Sequence, residues 1–397
     1  MHIVCLAHSY PRFEGDVAGT FVEQLNLGLR ARGHDVKVIA PSERGAGTRE
    51  RTAGISVSRV RYAPARLETL AYHGDMQERA RSPFGRLAAA SLMVAQASEI
   101  GHLNQVSRVD VVHAHWWVPG GVSAWLARLV RKPRYVVTLH GSDVRLLDRS
   151  ASARWLARRV LRGAAAVTAV SSYLADRAAR IAGIDPDRIL VQPMPVPVDR
   201  FDRQSLGGGG IVTIGRLTEQ KNVDDVLEAV ARLRQQGVDT HLHIIGDGPR
   251  RQALEYRARG LGVEDIVWFK GAVAPDEIPA TVGDADVMVF PAIAEGLGLV
   301  AAEALLMGVP VVATQAGGGV TDIVPPTGAG RLVPPHDPAA LAHAIRELLE
   351  TPGSLYLAEQ AGDSLRKRIA PDVVAKVFEK VYEQVVGQGG RPEREDA

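Results

Sequence analysis

The chain has 397 residues, of which 46% are hydrophobic and 23% charged, and its formal net charge is +2. That length is long for one core and suits two domains, and the near-neutral charge gives no reason to expect a nucleic-acid partner. Cys5 is the only cysteine, which excludes an intrachain disulfide and any Cys-based zinc cluster.

The amino terminus, Met1-His2-Ile3-Val4-Cys5-Leu6-Ala7, lacks a basic region and a long apolar run. Residues 1–8 therefore read as a first strand and not as a signal peptide. No apolar run long enough for a transmembrane helix occurs, so a cytoplasmic protein is expected. The loop 9–20 carries Gly15 and Gly19. Phe21, Val22, Leu25 and Leu29 then recur at helical spacing, predicting a helix over Phe21–Arg32 that Gly33 ends. Val36–Ala40 follows as a second strand. The loop lacks the GxGxxG pattern of a dinucleotide fingerprint. Residues 41–83 read as irregular, and Phe84–Gln105 as a long helix. Val109–His113 and Tyr135–His140 are further strands, each closing on histidine and small or polar residues. Arg154, Arg158 and Arg162 repeat every four residues beside Trp155, the pattern of a solvated helix face or of a stripe for an acidic membrane surface. Val167–Val170 is a strand and Ser172–Ala182 a helix. Pro193, Pro195 and Pro197 next to the glycine run 207–210 mark a domain boundary and hinge.

The second half restarts the alternation. Ile211–Ile214, His241–Ile245 and Ile266–Phe269 read as strands, and Val223–Gln235, Arg251–Arg259 and Pro275–Val282 as helices. The stretch from Asp286 to Gly319 is the densest in signals. Val287–Phe290 is a buried strand, Ala292–Leu299 a tight loop, Val300–Met307 a helix, Val309–Ala313 a second strand, and Gly317–Gly319 a glycine run. Late helices are expected over Pro338–Glu350 and Val374–Val386, and a disordered tail over 387–397. Two consecutive βαβα runs predict an α/β chain of two doubly wound Rossmann-like domains facing a central cleft.

Ligands in such sheets bind beyond the carboxyl ends of the strands, where Glu295, Gly296, Gly298 and Glu303 are expected. Glycines let a ligand approach the backbone, and a helix N-terminus offers free N–H groups to an anion. Carboxylates accept from sugar hydroxyls. A polyhydroxylated ligand carrying a phosphate satisfies the whole set, whereas a capped loop with a surface acid is the plainer alternative. Arg216 and Lys221, just past Ile211–Ile214, can clamp a diphosphate, though such a pair is also common on solvated surfaces. Asp284-Ala285-Asp286 has DxD spacing for a divalent ion, but Asp286 immediately precedes a buried strand and so lies at its amino end, away from ligands. The pairs His113/His115 and His241/His243 have spacing for metal but lack further ligands.

Together these positions resemble the retaining nucleotide-sugar glycosyltransferases of family 4, which have the two-domain GT-B fold. Glu295 and Glu303 match that family's E-x7-E motif. Gly215-Arg216-Leu217 with Lys221-Asn222 matches its phosphate clamp. Gly246-Asp247-Gly248-Pro249, Phe269-Lys270-Gly271-Ala272-Val273 and Gly317-Gly318-Gly319 follow in the family order. His140-Gly141-Ser142-Asp143 and Gly33-His34-Asp35-Val36 match its N-domain pattern.

The resemblance implies an acceptor-binding domain over 1–198, a nucleotide-sugar-binding domain over 199–373, and a helix at 374–386 crossing back to the first. It implies catalytic roles for His140, Arg216, Lys221 and Glu295, with Arg216 and Lys221 stabilising the leaving diphosphate in place of a metal. Donor contacts would come from Gly19, Gly215, Gly246, Gly248, Lys270, Gly271, Val273, Gly296, Leu297, Gly298, Leu299 and Glu303. The acceptor side would include His115, Ser142 and Asp143. Neither a metal nor a separate cofactor is expected. The donor would be a UDP-, GDP- or ADP-sugar, and the acceptor a small molecule, a glycan or a lipid-linked molecule, with room for weak peripheral membrane contact at the inner face. Two departures stand out. The first loop reads Asp16-Val17-Ala18-Gly19 where many members have paired glycines, and Asp322 stands where they have glutamate. A nucleotide-sugar 2-epimerase of the same fold and a non-catalytic sugar-nucleotide-binding protein are the rival readings.

Overall fold

The computed structural model describes residues 1–387 apart from 14, 17, 45–48, 73–75, 203–206, 275 and 326–327. Two units divide the chain: Met1–Val196 with the segment from Ala370 on, and Pro197–Ile369.

The first unit holds an eight-stranded sheet. Its strands are β1 (His2–Leu6), β2 (Asp35–Pro41), β3 (Arg49–Thr52), β4 (Ile55–Val60), β5 (Val111–His115), β6 (Tyr135–Leu139), β7 (Ala166–Ala169) and β8 (Ile189–Val191), in the order β3-β4-β2-β1-β5-β6-β7-β8. All neighbours are parallel except β3 and β4. Apolar runs buried on both faces are what a helix-covered parallel sheet requires: every residue of β5 and β6 is buried. Connecting helices end where the sequence supplies stops. Ser172–Ala182 begins after Ser171, whose hydroxyl accepts from the Leu174 amide, and closes on Gly183 in the left-handed region.

Residues 41–83 contain more order than their irregular composition predicts, because β3 and β4 form an antiparallel pair there. Ile55, Val57 and Arg59 share the inward face of β4, and the third position is what hides the alternation. The Arg59 guanidinium is buried, donating to the Tyr10 and Pro11 carbonyls and the Tyr72 hydroxyl and pairing with Glu50. The strand expected at Val109–His113 runs two residues later, through His115.

The arginine stripe lies on a solvated helix face, with Arg158 and Arg162 exposed, and it also caps two neighbouring helices. Arg154 donates to the Leu147 carbonyl at 3.1 Å, Arg158 to Ile181 at 3.2 Å and Arg162 to Gly183 at 3.0 Å. These carbonyls close the helices Ser142–Arg149 and Ser172–Ala182, so the three guanidiniums occupy the negative ends of two helix dipoles. Among the described residues no helix is long and apolar enough to cross a membrane.

The helix Pro371–Gly387 packs on Thr20–Ala31 in this first unit. Gly28 makes the approach possible, since a Cβ there would lie 2.8 Å from the Pro371 carbonyl oxygen. Glu379 pairs with Arg32 and His34, and the buried Tyr382 hydroxyl meets His113 Nδ1 at 2.7 Å.

The second unit has six parallel strands: β9 (Ile211–Ile214), β10 (Leu242–Ile245), β11 (Val267–Gly271), β12 (Val287–Phe290), β13 (Val311–Thr314) and β14 (Gly330–Val333), ordered β11-β10-β9-β12-β13-β14. The order reverses direction between β9 and β12, the position where open α/β sheets bind ligands. Asp286 lies at the amino end of β12, and its carboxylate accepts from the Gly208 amide at 2.7 Å and the Gly210 amide at 2.9 Å. The hinge expected around 197–210 lies partly, and the tail from 388 on wholly, outside the described residues.

Candidate active site

In the second unit, the residues between β9 and the helix Val223–Gln235 turn back over the strand end. Asn222 takes the left-handed conformation (φ 49°) and closes a short 3-10 turn over Glu219–Lys221. That turn lays the Lys221 side chain across Gly215, where a Cβ would sit 3.1 Å from Cε. The ammonium also lies 5.4 Å from the centre of the Phe290 ring. Opposite, the loop after β12 is held by reciprocal bonds: the Ile293 amide donates to the Gln220 carbonyl, and the Gln220 side chain donates to the Ile293 carbonyl. This brings Lys221 Nζ to 2.6 Å from Glu295 Oε1, both side chains about four-fifths buried.

The Glu295 backbone is fixed as well. Its amide donates to the Gly317 carbonyl and its carbonyl accepts from the Gly319 amide. Gly318 is obligatory at that contact, because it has φ 77° and a Cβ would lie 2.2 Å from the Glu295 carbonyl oxygen. The glycine run is thus a seat for the Glu295 loop. Gly298 precedes the helix Leu299–Leu306 and abuts Phe290 and Val320. Gly296 and Leu299 remain partly exposed there, while Leu297 is buried. Glu303 stands one turn into the helix, half-buried, its carboxylate without a hydrogen bond to any described residue. Burial pushes its carboxyl up to about 7, against the opposing pull of the Arg200 charge. Arg216 is exposed and makes no ion pair with a described residue.

Gly246 and Gly248 act through the neighbouring loop. Cβ atoms there would fall 2.1 Å from the Gly215 carbonyl oxygen and 2.5 Å from that of Leu217. The Gly246-Asp247-Gly248 turn therefore buttresses the Arg216 loop. Lys270 is the extra residue of a bulge on β11, and the Gly271 carbonyl after it accepts from the Gly246 amide at 2.7 Å. Lys270 and Val273 lie at this sheet edge, with β10 and β9 between them and β12.

In the first unit, the carboxyl ends of β1, β5 and β6 gather an aromatic cluster. Phe21, just inside the helix that Gly19 precedes, lies 5.2 Å from His140 between ring centres. Trp116 lies 4.4 Å from His140 and 3.8 Å from His8. His115 Nδ1 meets His140 Nε2 at 3.0 Å. Burial lowers His8 to about 4 and His113 to about 3, and holds His115 and His140 well below the usual imidazole range. All four rings are neutral at pH 7.

Two residues expected on the acceptor side are placed otherwise. Asp143 is 1% exposed. One carboxylate oxygen accepts from the amides of His140, Gly141 and Val144, and the other from the Trp117 amide. Asp143 therefore orders the two loops from a position closed to solvent. His115 is fully buried, its ring pressed against His113 with centres 4.2 Å apart, and it reaches outward only through His140. Ser142 is half-buried at the start of the helix Ser142–Arg149. His241 and His243 pack around Trp268. Among the described residues no group of three or more His, Cys, Asp or Glu side chains is arranged to hold a metal ion. Sequence reasoning missed His8, Trp116 and the Lys221–Glu295 pair. The run His113-Ala114-His115-Trp116-Trp117 was the available signal for the aromatic cluster.

Comparison with known proteins adds a lineage. Residues 203–368 match the family described as glycosyl transferases group 1, and residues 18–195 the glycosyl transferase 4-like domain. The chain is 32% identical to a D-inositol 3-phosphate glycosyltransferase of Geodermatophilus obscurus, over 84% of this chain and 78% of the relative. A sucrose-phosphate synthase from Thermosynechococcus elongatus superposes with a TM-score of 0.78 at 20% identity, covering 98% of this chain and 99% of the other. Anabaena HepE, solved with UDP and glucose, superposes with a TM-score of 0.70 at 19% identity, covering 96% and 99%.

Proposed function

This chain belongs to the group 1 glycosyl transferases, with two parallel-sheet α/β units of GT-B type, and from that premise we propose that it is a retaining, metal-independent hexosyltransferase. Its donor is a nucleoside-diphosphate sugar, which the carboxyl end of the second unit's sheet binds. The observation that carries this reading is the Lys221–Glu295 pair, seated over Gly215 at the reversal point between β9 and β12.

The chemistry follows from charge. As the glycosidic C–O bond of the donor breaks, negative charge grows on the diphosphate and the sugar becomes oxocarbenium-like. Cations placed beforehand stabilise that developing charge more than they stabilise the ground state. Lys221 and the exposed Arg216 have this role. Glu295 accepts from hydroxyls of the transferred sugar, and Glu303 from those of the ribose. The backbone at 296–299 contacts phosphate and sugar, and His140 serves the reacting sugar. The acceptor hydroxyl enters on the face the diphosphate leaves, and a departing phosphate oxygen takes its proton. Metal independence is supported by Asp286, whose carboxylate is committed to two amides at the far end of β12. HepE was solved with UDP and glucose, which makes a UDP-sugar the first donor to try, followed by GDP- and ADP-sugars.

The test is slow donor hydrolysis with water as acceptor. The metal-stripped enzyme is mixed with each sugar nucleotide in excess EDTA, and the anomer released is read by proton NMR before mutarotation. An α-configured donor should yield the α-hexose. Release of the β-hexose, or activity that appears only with Mn²⁺ or Mg²⁺, would overturn the reading. Conversion to an isomeric sugar nucleotide with no hexose released would identify an epimerase instead.

A further inference from the structure

The histidine cluster of the first unit carries an inference about protonation, which rests on the proposed role of His140. His115 has two ring nitrogens and one partner. Nδ1 lies 3.0 Å from His140 Nε2. Nε2 is sealed from solvent and has no hydrogen-bond partner among the described residues. Both rings are neutral, so each carries one N–H. If His115 held its proton on Nε2, that N–H would be an orphaned buried donor, and such groups are rare and costly. If it holds the proton on Nδ1, the N–H points at His140, and only a lone pair is left unpaired. The second arrangement is favoured. Nε2 of His140 is then the acceptor, which puts the His140 proton on Nδ1. That atom has no partner among the described residues and is not sealed from solvent.

We propose that His115 is a positioning residue that holds His140 as its Nδ1–H tautomer, so that His140 presents a hydrogen-bond donor, and not a base, to the substrate. The group it would meet is an acceptor oxygen: a sugar hydroxyl, the ring oxygen or a phosphate. Trp116 and Phe21 pack against the His140 ring and fix its plane. His113 stacks behind His115 and is held at both nitrogens, by Tyr382 at 2.7 Å and by Thr138 at 2.7 Å. The ring of His115 is thereby supported from within the sheet. On this reading the proton of the acceptor hydroxyl cannot go to His140 Nδ1, which is already protonated.

The direct test is ¹⁵N–¹H long-range correlation NMR on the full-length, histidine-labelled protein near neutral pH. His140, identified by its loss in His140→Asn, should show a protonated Nδ1 and an unprotonated Nε2. A protonated Nε2 on His140 overturns the proposal. His115→Leu should turn His140 into a mixture of tautomers, while His115→Asn, whose amide can still donate from near the Nδ1 position, should preserve the original signature. An unchanged His140 spectrum in folded His115→Leu overturns the positioning role. Activity gives a second arm. An asparagine side chain places its amide near Nδ1 of the histidine it replaces, and glutamine near Nε2. His140→Gln should lose about 10²-fold in kcat/KM and His140→Asn clearly less. Equal collapse of both folded variants, as expected for loss of a base, counts against the donor role. If the wild type transfers or hydrolyses no sugar nucleotide, the transferase reading fails, and the tautomer assignment stands or falls on the NMR alone.

Discussion

Lys221 Nζ and Glu295 Oε1 lie 2.6 Å apart, so two residues that the motifs assign to different parts of a donor are each other's partner. The pairing changes what their loss should do. Without Glu295, Lys221 is an uncompensated cation facing the diphosphate site. Without Lys221, Glu295 is an uncompensated anion facing it. Free nucleoside diphosphate should therefore bind Glu295→Ala as well as wild type or better, and Lys221→Ala distinctly worse. The double variant should bind better than Lys221→Ala alone. Calorimetry on the four proteins should yield a coupling of about 0.5–3 kcal/mol, the range for residues in contact. Additive losses would show that the two act apart.

Arg216 has no ion-pair partner among the described residues to lose, and its role rests on charge that grows during reaction. Arg216→Ala should lower kcat/KM by about 10²–10³, the usual result of deleting one preorganised stabilising group. It should also weaken free diphosphate binding and leave the melting temperature almost unchanged, since the side chain is exposed. Steady-state kinetics beside a thermal melt decide this. Unchanged turnover would return Arg216 to the solvated surface.

Glu303 supplies a pH dependence. Its carboxyl is raised to about 7 in the fold, against an ordinary value of 4.5, because its half-buried position desolvates the charged form. The folded state therefore favours the protonated form. The stability this gives is complete below about pH 4.5 and is lost as pH rises through about 7, where the buried carboxylate must ionise. Glu303→Gln, which mimics the neutral acid, should match wild type at low pH and exceed it above pH 7. By linkage the gain is at most ~3 kcal/mol. Urea unfolding of both proteins across this range is the measurement, and parallel pH profiles would refute it.

Much of this was legible in the chain. Ile211–Ile214, Val223–Gln235 and Val287–Phe290 have the structure the pattern predicts, because an apolar run between turn residues leaves a buried strand or a covering helix few alternatives. The β3–β4 pair was not legible, since Arg59 occupies an inward position that the alternation reserves for an apolar side chain. Asp143 illustrates a different limit. An acid next to Gly and Ser at a strand end reads as a ligand contact, and nothing local reveals that a Trp117 amide 26 residues away has claimed its second oxygen. Likewise the separation of Lys221 from Glu295 in sequence conceals a pair that the Gln220–Ile293 clasp and the glycine seat of Glu295 bring together.

That view of Asp143 can be tested by stability. Its carboxylate accepts from four amides, those of His140, Gly141 and Val144 on one oxygen and Trp117 on the other, and it is 1% exposed. Removing it takes the acceptor from four amides in one step, three of them buried. Asp143→Ala should cost at least ~3 kcal/mol, since each unsatisfied buried group is worth about 1–3 kcal/mol and water can enter to satisfy only some of them. Asp143→Asn fills the same space but presents an NH₂ where one of the carboxylate oxygens accepted, so it should also destabilise, though less than alanine. A residue that merely lined an acceptor site would behave in the opposite way, losing activity at nearly unchanged stability. Chemical denaturation of the two variants, with turnover measured on whatever remains folded, separates these cases. A stability loss below about 0.5 kcal/mol in Asp143→Ala would show that the loops hold without it.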